Sequence, residues 1–120
     1  MEAATTTVER PLAAAAPVID RAHLAHVTFG DRHLEDEVLQ LFDRQATLLM
    51  ARIGSTPAAV ASLAHTLKGS ATSIGAFNVA RAAQAVELAT AQGAREAAIG
   101  QLAAAVDEAR AAISEMLRTP

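Results

Sequence analysis

The chain has 120 residues, enough for one domain with one modest core, and 10 Lys and Arg against 13 Asp and Glu give it a formal charge of −3. No basic block with interleaved aromatics points to nucleic acid, and the absence of cysteine excludes disulfide and thiol chemistry. No apolar run approaches the roughly 20 residues that span a bilayer, and no basic segment precedes an apolar one at the N-terminus, so a cytoplasmic location away from membranes is expected.

Alanine, the strongest helix former, dominates the composition and β-branched runs are scarce, so an all-α protein with closely approaching helices is expected. Residues 1–17 are rich in Thr, Ala and Pro without periodicity and read as a flexible lead-in to a domain over 18–118. Asp20 can cap a short helix over about 20–27, and the Phe29-Gly30-Asp31 turn hands on to a long helix with Asp31 as its cap. In that helix Leu34, Val38, Leu41, Phe42, Gln45, Leu49 and Ile53 form the expected buried stripe, while Asp36, Glu37 and Asp43 form a solvated face.

Gly54-Ser55-Thr56-Pro57 stops this helix and starts the next, with Ser55 or Thr56 as cap and Pro57 in the first turn. The next helix is expected over 57–74, with Gly75 closing it. A further helix should run to a stop at Gly93, and a last one over 94–118 with Ile99, Leu102, Val106, Ala109, Ile113 and Leu117 inward. Gly100 interrupts it, a pattern that suits close packing of another helix. Phe29, Phe42 and Phe77 are expected in the core or at corners. Four amphipathic helices with short connections give an up-down-up-down antiparallel four-helix bundle with a short extra N-terminal helix.

The segment LAHTLKGSATSIGA, residues 63–76, carries the chemistry. At about 100° per residue, Leu63, Leu67 and Ile74 lie roughly opposite His65, whereas Lys68, Gly69 and Thr72 lie within about 60° of it, as do Ala58 and Ala61. His65 therefore sits on an open face among small residues, with a cation one turn along. Gly69 forgoes about 1 kcal/mol of helix stability relative to alanine on that same face, which leaves room for another surface to approach. Ala61, Gly69 and Thr72 are the expected docking residues. Ser70 falls nearer the buried side and reads as a packing or capping hydroxyl. His23 and His26 stand at a ligand spacing, but nothing completes a set with His33, so no metal site is expected.

The run His65, Lys68, Gly69, Ser70, Gly75, Ala76 resembles the signature of histidine-containing phosphotransfer (HPt) domains. TFGDRHLEDEVLQLFDRQ upstream and VARAAQAVELA downstream resemble the helices that flank it in that family, over residues 18–117 in all. The resemblance implies a helical bundle that accepts a phosphoryl group on His65 from a receiver-domain aspartate and passes it to another. The donors and acceptors would be receiver domains of hybrid histidine kinases and response regulators. It implies no ATP-dependent kinase activity, and no glycine-rich phosphate loop is present. No cofactor is expected on this chain, Mg²⁺ belonging to the receiver. Lys68 would compensate phosphoryl charge. Glu87 would orient the imidazole through Nδ1–H, unless it is merely a solvated or helix-bridging carboxylate. A helical binding module that never carries phosphate, and the substrate domain of a chemotaxis-type kinase, are the alternative functions. A monomer is expected.

Overall fold

The computed structural model describes residues 17–119, so the expected lead-in over 1–17 lies outside the described residues but for Pro17. Those residues form five α-helices and one 3-10 turn, and among them there is no strand. Among the described residues no helix is long and apolar enough to cross a membrane.

Helix α1 (Arg21–Val27) begins where the Asp20 carboxylate accepts the His23 N–H at 3.0 Å. It ends at Thr28, whose buried hydroxyl donates to Leu24 O at 2.7 Å. The turn after it passes through Phe29 and Gly30, both at positive φ (58° and 73°). Phe29 is 89% exposed there, so it is no core or corner residue; the left-handed turn aims its ring outward. Phe42 is in the core, and Phe77 is half-buried.

Helix α2 (Arg32–Ser55) is capped by Asp31, which accepts from Leu34 N at 3.1 Å. Its buried residues are Leu39, Phe42, Ala46, Leu49 and Ile53, at spacings of three and four. The expected stripe is thus rotated: Leu41 is 58% exposed, and Leu34, Val38 and Gln45 are half-buried. Periodicity cannot separate the two stripes, because α2 carries enough apolar residues for both. Asp43 is not simply solvated, since it accepts from Arg110 Nε at 2.8 Å, and Asp36 pairs with Arg32 within the helix.

Thr56 makes no side-chain cap, and Pro57–Ala59 form a 3-10 turn that leads into α3 (Val60–Ile74). Gly75 stops α3 at φ 84°, with Ala76 N–H bonding back to Ala71 O at 2.8 Å. The Gly75 carbonyl also accepts Asp20 N–H at 2.9 Å, and a Cβ at Gly75 would lie 2.9 Å from Asp20 O. Both backbone conformation and close approach of the segment before α1 therefore demand glycine.

Helix α4 (Phe77–Leu88) ends five residues before Gly93, the expected stop. Extended backbone at Ala89 and Ala91 makes the corner, and no residue there carries a turn signature. Gly93 instead lies in the first turn of α5 (Gln92–Arg118). The buried line of α5 is Ala98, Leu102, Val106, Ala109, Ile113 and Met116, so Ile99 and Leu117 sit at its margin. Gly100 is exposed and a Cβ there would meet nothing, so close packing does not explain it.

Helix α2 packs on α3, α3 on α4, α4 on α5, and α5 returns to α2, while α1 lies against α3. The most extensive contact joins α3 and α4, where Ala64, Ala71, Ala80 and Ala83 are buried. Small side chains let these two axes approach closely, and that approach brings the polar rims of both helices together.

Candidate functional site

Burial of Val60, Leu63, Ala64, Leu67, Ala71 and Ile74 fixes the rotation of α3. The opposite face is left outward, and the His65 side chain is 65% exposed on it. Across the α3–α4 seam stands Glu87, placed by the burial of Val86 and Ala83 beside it on α4. His65 Nδ1 lies 2.8 Å from Glu87 Oε2. A carboxylate only accepts, so the hydrogen bond assigns the proton to Nδ1 and leaves the Nε2 lone pair free.

The second carboxylate oxygen is also engaged. Lys68 Nζ lies 3.0 Å from Glu87 Oε1, and no N–H is aligned on that buried oxygen, so the contact is an ion pair. The Lys68 ammonium holds the Glu87 carboxyl below its usual range; partial burial opposes this, and the His65 imidazole adds to it. One carboxylate thus spans two residues one helical turn apart. The sequence reading directed Lys68 toward a phosphoryl group and missed its contact with Glu87. The spacing of three between His65 and Lys68 was the available signal, because it stacks both on one edge of α3.

The surface around His65 is low. A Cβ at Gly69 would meet nothing within 4 Å. Thr72 Oγ1 donates to Lys68 O at 2.8 Å, Ser73 Oγ to Gly69 O at 3.0 Å, and Thr66 Oγ1 to Ser62 O at 3.2 Å. These hydroxyls fold back onto their own helix instead of projecting. Ala61 is half-buried beside them, and Ser70 is half-buried toward α2. Ser70 lines a shallow depression with Val38, Leu41 and Gln45.

Two rims of this face escaped the sequence reading. On the α2 side Leu41, which lines the depression beside Ser70, is 58% exposed, and Leu48, seven residues on and so on the same side of α2, is 66% exposed. On the α4 side Arg81 and Gln84 border a small groove with Lys68 and Thr72. Neither rim could be assigned before helix rotation and neighbours were known.

The other histidines are spread out. His23 Nε2 lies 3.1 Å from Ser73 O and its ring meets Phe77 edge-on, with centroids 5.3 Å apart. His33 lies 3.5 Å from Glu37 on α2. Among the described residues no group of three His, Asp or Glu side chains is placed to hold a metal ion.

Compared with known protein families, the chain matches the family model described as "Hpt domain" over residues 32–117, more than half of its length. Neither the curated proteins nor the solved structures contain a match.

Proposed function

This chain belongs to the Hpt domain family, a family of histidine phosphotransfer modules of two-component signalling, and from that premise we propose that it is a phosphorelay intermediate whose phosphorylated residue is His65. The observation that carries the reading is the exposed His65 ring with Nδ1 held by Glu87 and Nε2 free.

The chemistry follows from that geometry. The Nε2 lone pair attacks phosphorus of a receiver's aspartyl phosphate; the N–P bond forms, the P–O bond breaks, and the aspartate leaves as carboxylate. No proton has to move, because Nδ1 keeps its own. The ring therefore becomes cationic, and the Glu87 carboxylate offsets the developing charge. Transfer to a second receiver is the same step reversed. Glu87 is a positioning residue in this scheme, and Lys68 supplies positive charge to the phosphoryl oxygens from the same face of α3. The chain needs no cofactor of its own, Mg²⁺ being the receiver's. It has no ATP-dependent kinase activity.

Ala61, Gly69 and Thr72 form the floor on which the receiver sits, and the exposed Leu41 and Leu48 offer apolar area beside it. The same reading makes the four long helices an up-down-up-down antiparallel bundle, with the protein a monomer in the cytoplasm. The bundle order is supported by packing of each helix on the next and by the cross-contacts Asp43 to Arg110 and Arg32 to Met116 O.

The test is incubation with a panel of phosphorylated receivers. Acid-labile, alkali-stable label that vanishes in His65→Gln is expected. No label from any receiver would favour a binding module, and label only from a separate kinase with ATP would favour a kinase substrate domain.

A further inference from the structure

Between residues 60 and 90 the charged side chains other than histidine are Lys68, Arg81 and Glu87. An acidic chain thus keeps its α3–α4 face free of acids except for one, and that one is committed to His65 and Lys68. Arg81 is exposed on the outer edge of α4. Its guanidinium donates to Asn78 Oδ1 one turn back, and among the described residues no carboxylate lies within ion-pair distance of it. Arg81 borders the groove of about 180 Å³ whose other polar lining is Lys68, Thr72 and Gln84. The Thr72 hydroxyl is turned back to Lys68 O and the Lys68 ammonium is paired with Glu87, so the remaining donors that line the groove are the Arg81 fork, with one arm on Asn78, and the Gln84 amide.

We propose that this groove is a carboxylate-reading subsite. Arg81, flanked by Gln84, would pair with an acidic side chain that a receiver presents beside its phosphorylation loop, fixing the receiver's orientation over His65 and selecting among receivers. The inference rests on the relay reading above and adds a specificity determinant to it. The two flanks of His65 then differ in kind: the α2 rim, with Leu41 and Leu48, gives apolar contact, and the α4 rim gives charge. A planar fork suits a carboxylate bidentately. A charge at the margin of an interface acts mainly on encounter and on salt dependence, not on the chemical step.

The experiment uses the receiver that labels wild-type His65 fastest in the panel. Transfer is followed in wild type, Arg81→Glu and Arg81→Lys at low and high salt. Arg81→Glu is expected to lower kcat/KM roughly tenfold at low salt, through KM and with kcat kept, and to lower it only about twofold near 0.5 M salt, where charges are screened within a few ångströms. Arg81→Lys should recover only part of the wild-type rate at low salt, since it keeps the charge but not the two parallel N–H donors. Circular dichroism should show the same helix content in all three. Equal KM for wild type and Arg81→Glu at low salt, with His65 still labelled, would overturn the subsite and leave the relay standing. Failure of every receiver to label wild type would overturn both.

Discussion

At the scale of single residues, the site is one carboxylate shared by two partners. Glu87 binds His65 Nδ1 through one oxygen and faces Lys68 with the other. Its carboxyl ionises more readily in the folded chain than at its ordinary value of 4.5. The stabilisation it contributes is therefore fully present above pH 4.5 and is lost as pH falls through the lower folded value. NMR titration of the Glu87 side-chain carboxyl should show a midpoint below 4.5 in wild type and a return toward that value in Lys68→Ala, because Lys68 is the largest cause of the depression. Identical midpoints in the two proteins would contradict the ion pair. Lys68→Ala should also slow transfer while leaving helix content unchanged, since the ammonium is then missing for the phosphoryl oxygens as well.

At the scale of helices, three glycines in similar sequence surroundings do different things. Gly69 and Gly100 both lie in helix interiors with open space where a Cβ would go. Each replacement by alanine should therefore stabilise the fold by about 1 kcal/mol, read as a higher melting temperature. Only Gly69→Ala should slow phosphotransfer, because only Gly69 faces the surface around His65. Gly75→Ala should destabilise by at least ~1–2 kcal/mol for the left-handed backbone alone, and more because the new methyl would meet Asp20 O at 2.9 Å. Stabilities that rank these three substitutions differently would show that the α3–α4 corner is not held as described. The sequence announced the stop at Gly75, where the backbone itself needs glycine. It misplaced the end of α4, because the corner at 89–91 is Ala-Thr-Ala, extended at Ala89 and Ala91, with none of the glycine, proline or Asx residues that mark a turn in sequence.

At the scale of the whole molecule, a core of Leu, Ile, Val and Ala holds α3 and α4 in the one rotation that sets His65 outward and Glu87 beside it. Leu67, on the face of α3 opposite His65, is fully buried. Leu67→Ala should destabilise by about 2–5 kcal/mol, whereas Leu41→Ala, at an exposed position, should stay within ~0.5 kcal/mol. Urea melts would check both; a large loss at Leu41 would mean that the rotated stripe of α2 is wrong.

The helices of 17–119, the caps at Asp20 and Asp31, the stop at Gly75 and the open face of His65 were determined by the sequence alone. Each follows from a local rule: backbone propensity, a side-chain acceptor at a helix start, a left-handed residue at a helix end, or the 3.6-residue turn. Which of two apolar stripes α2 buries, where α4 ends, how Lys68 is engaged and which residues rim the site were decided only by tertiary structure. These depend on which neighbour a helix meets and at what rotation, and contacts between residues far apart in the chain leave no periodic trace in it.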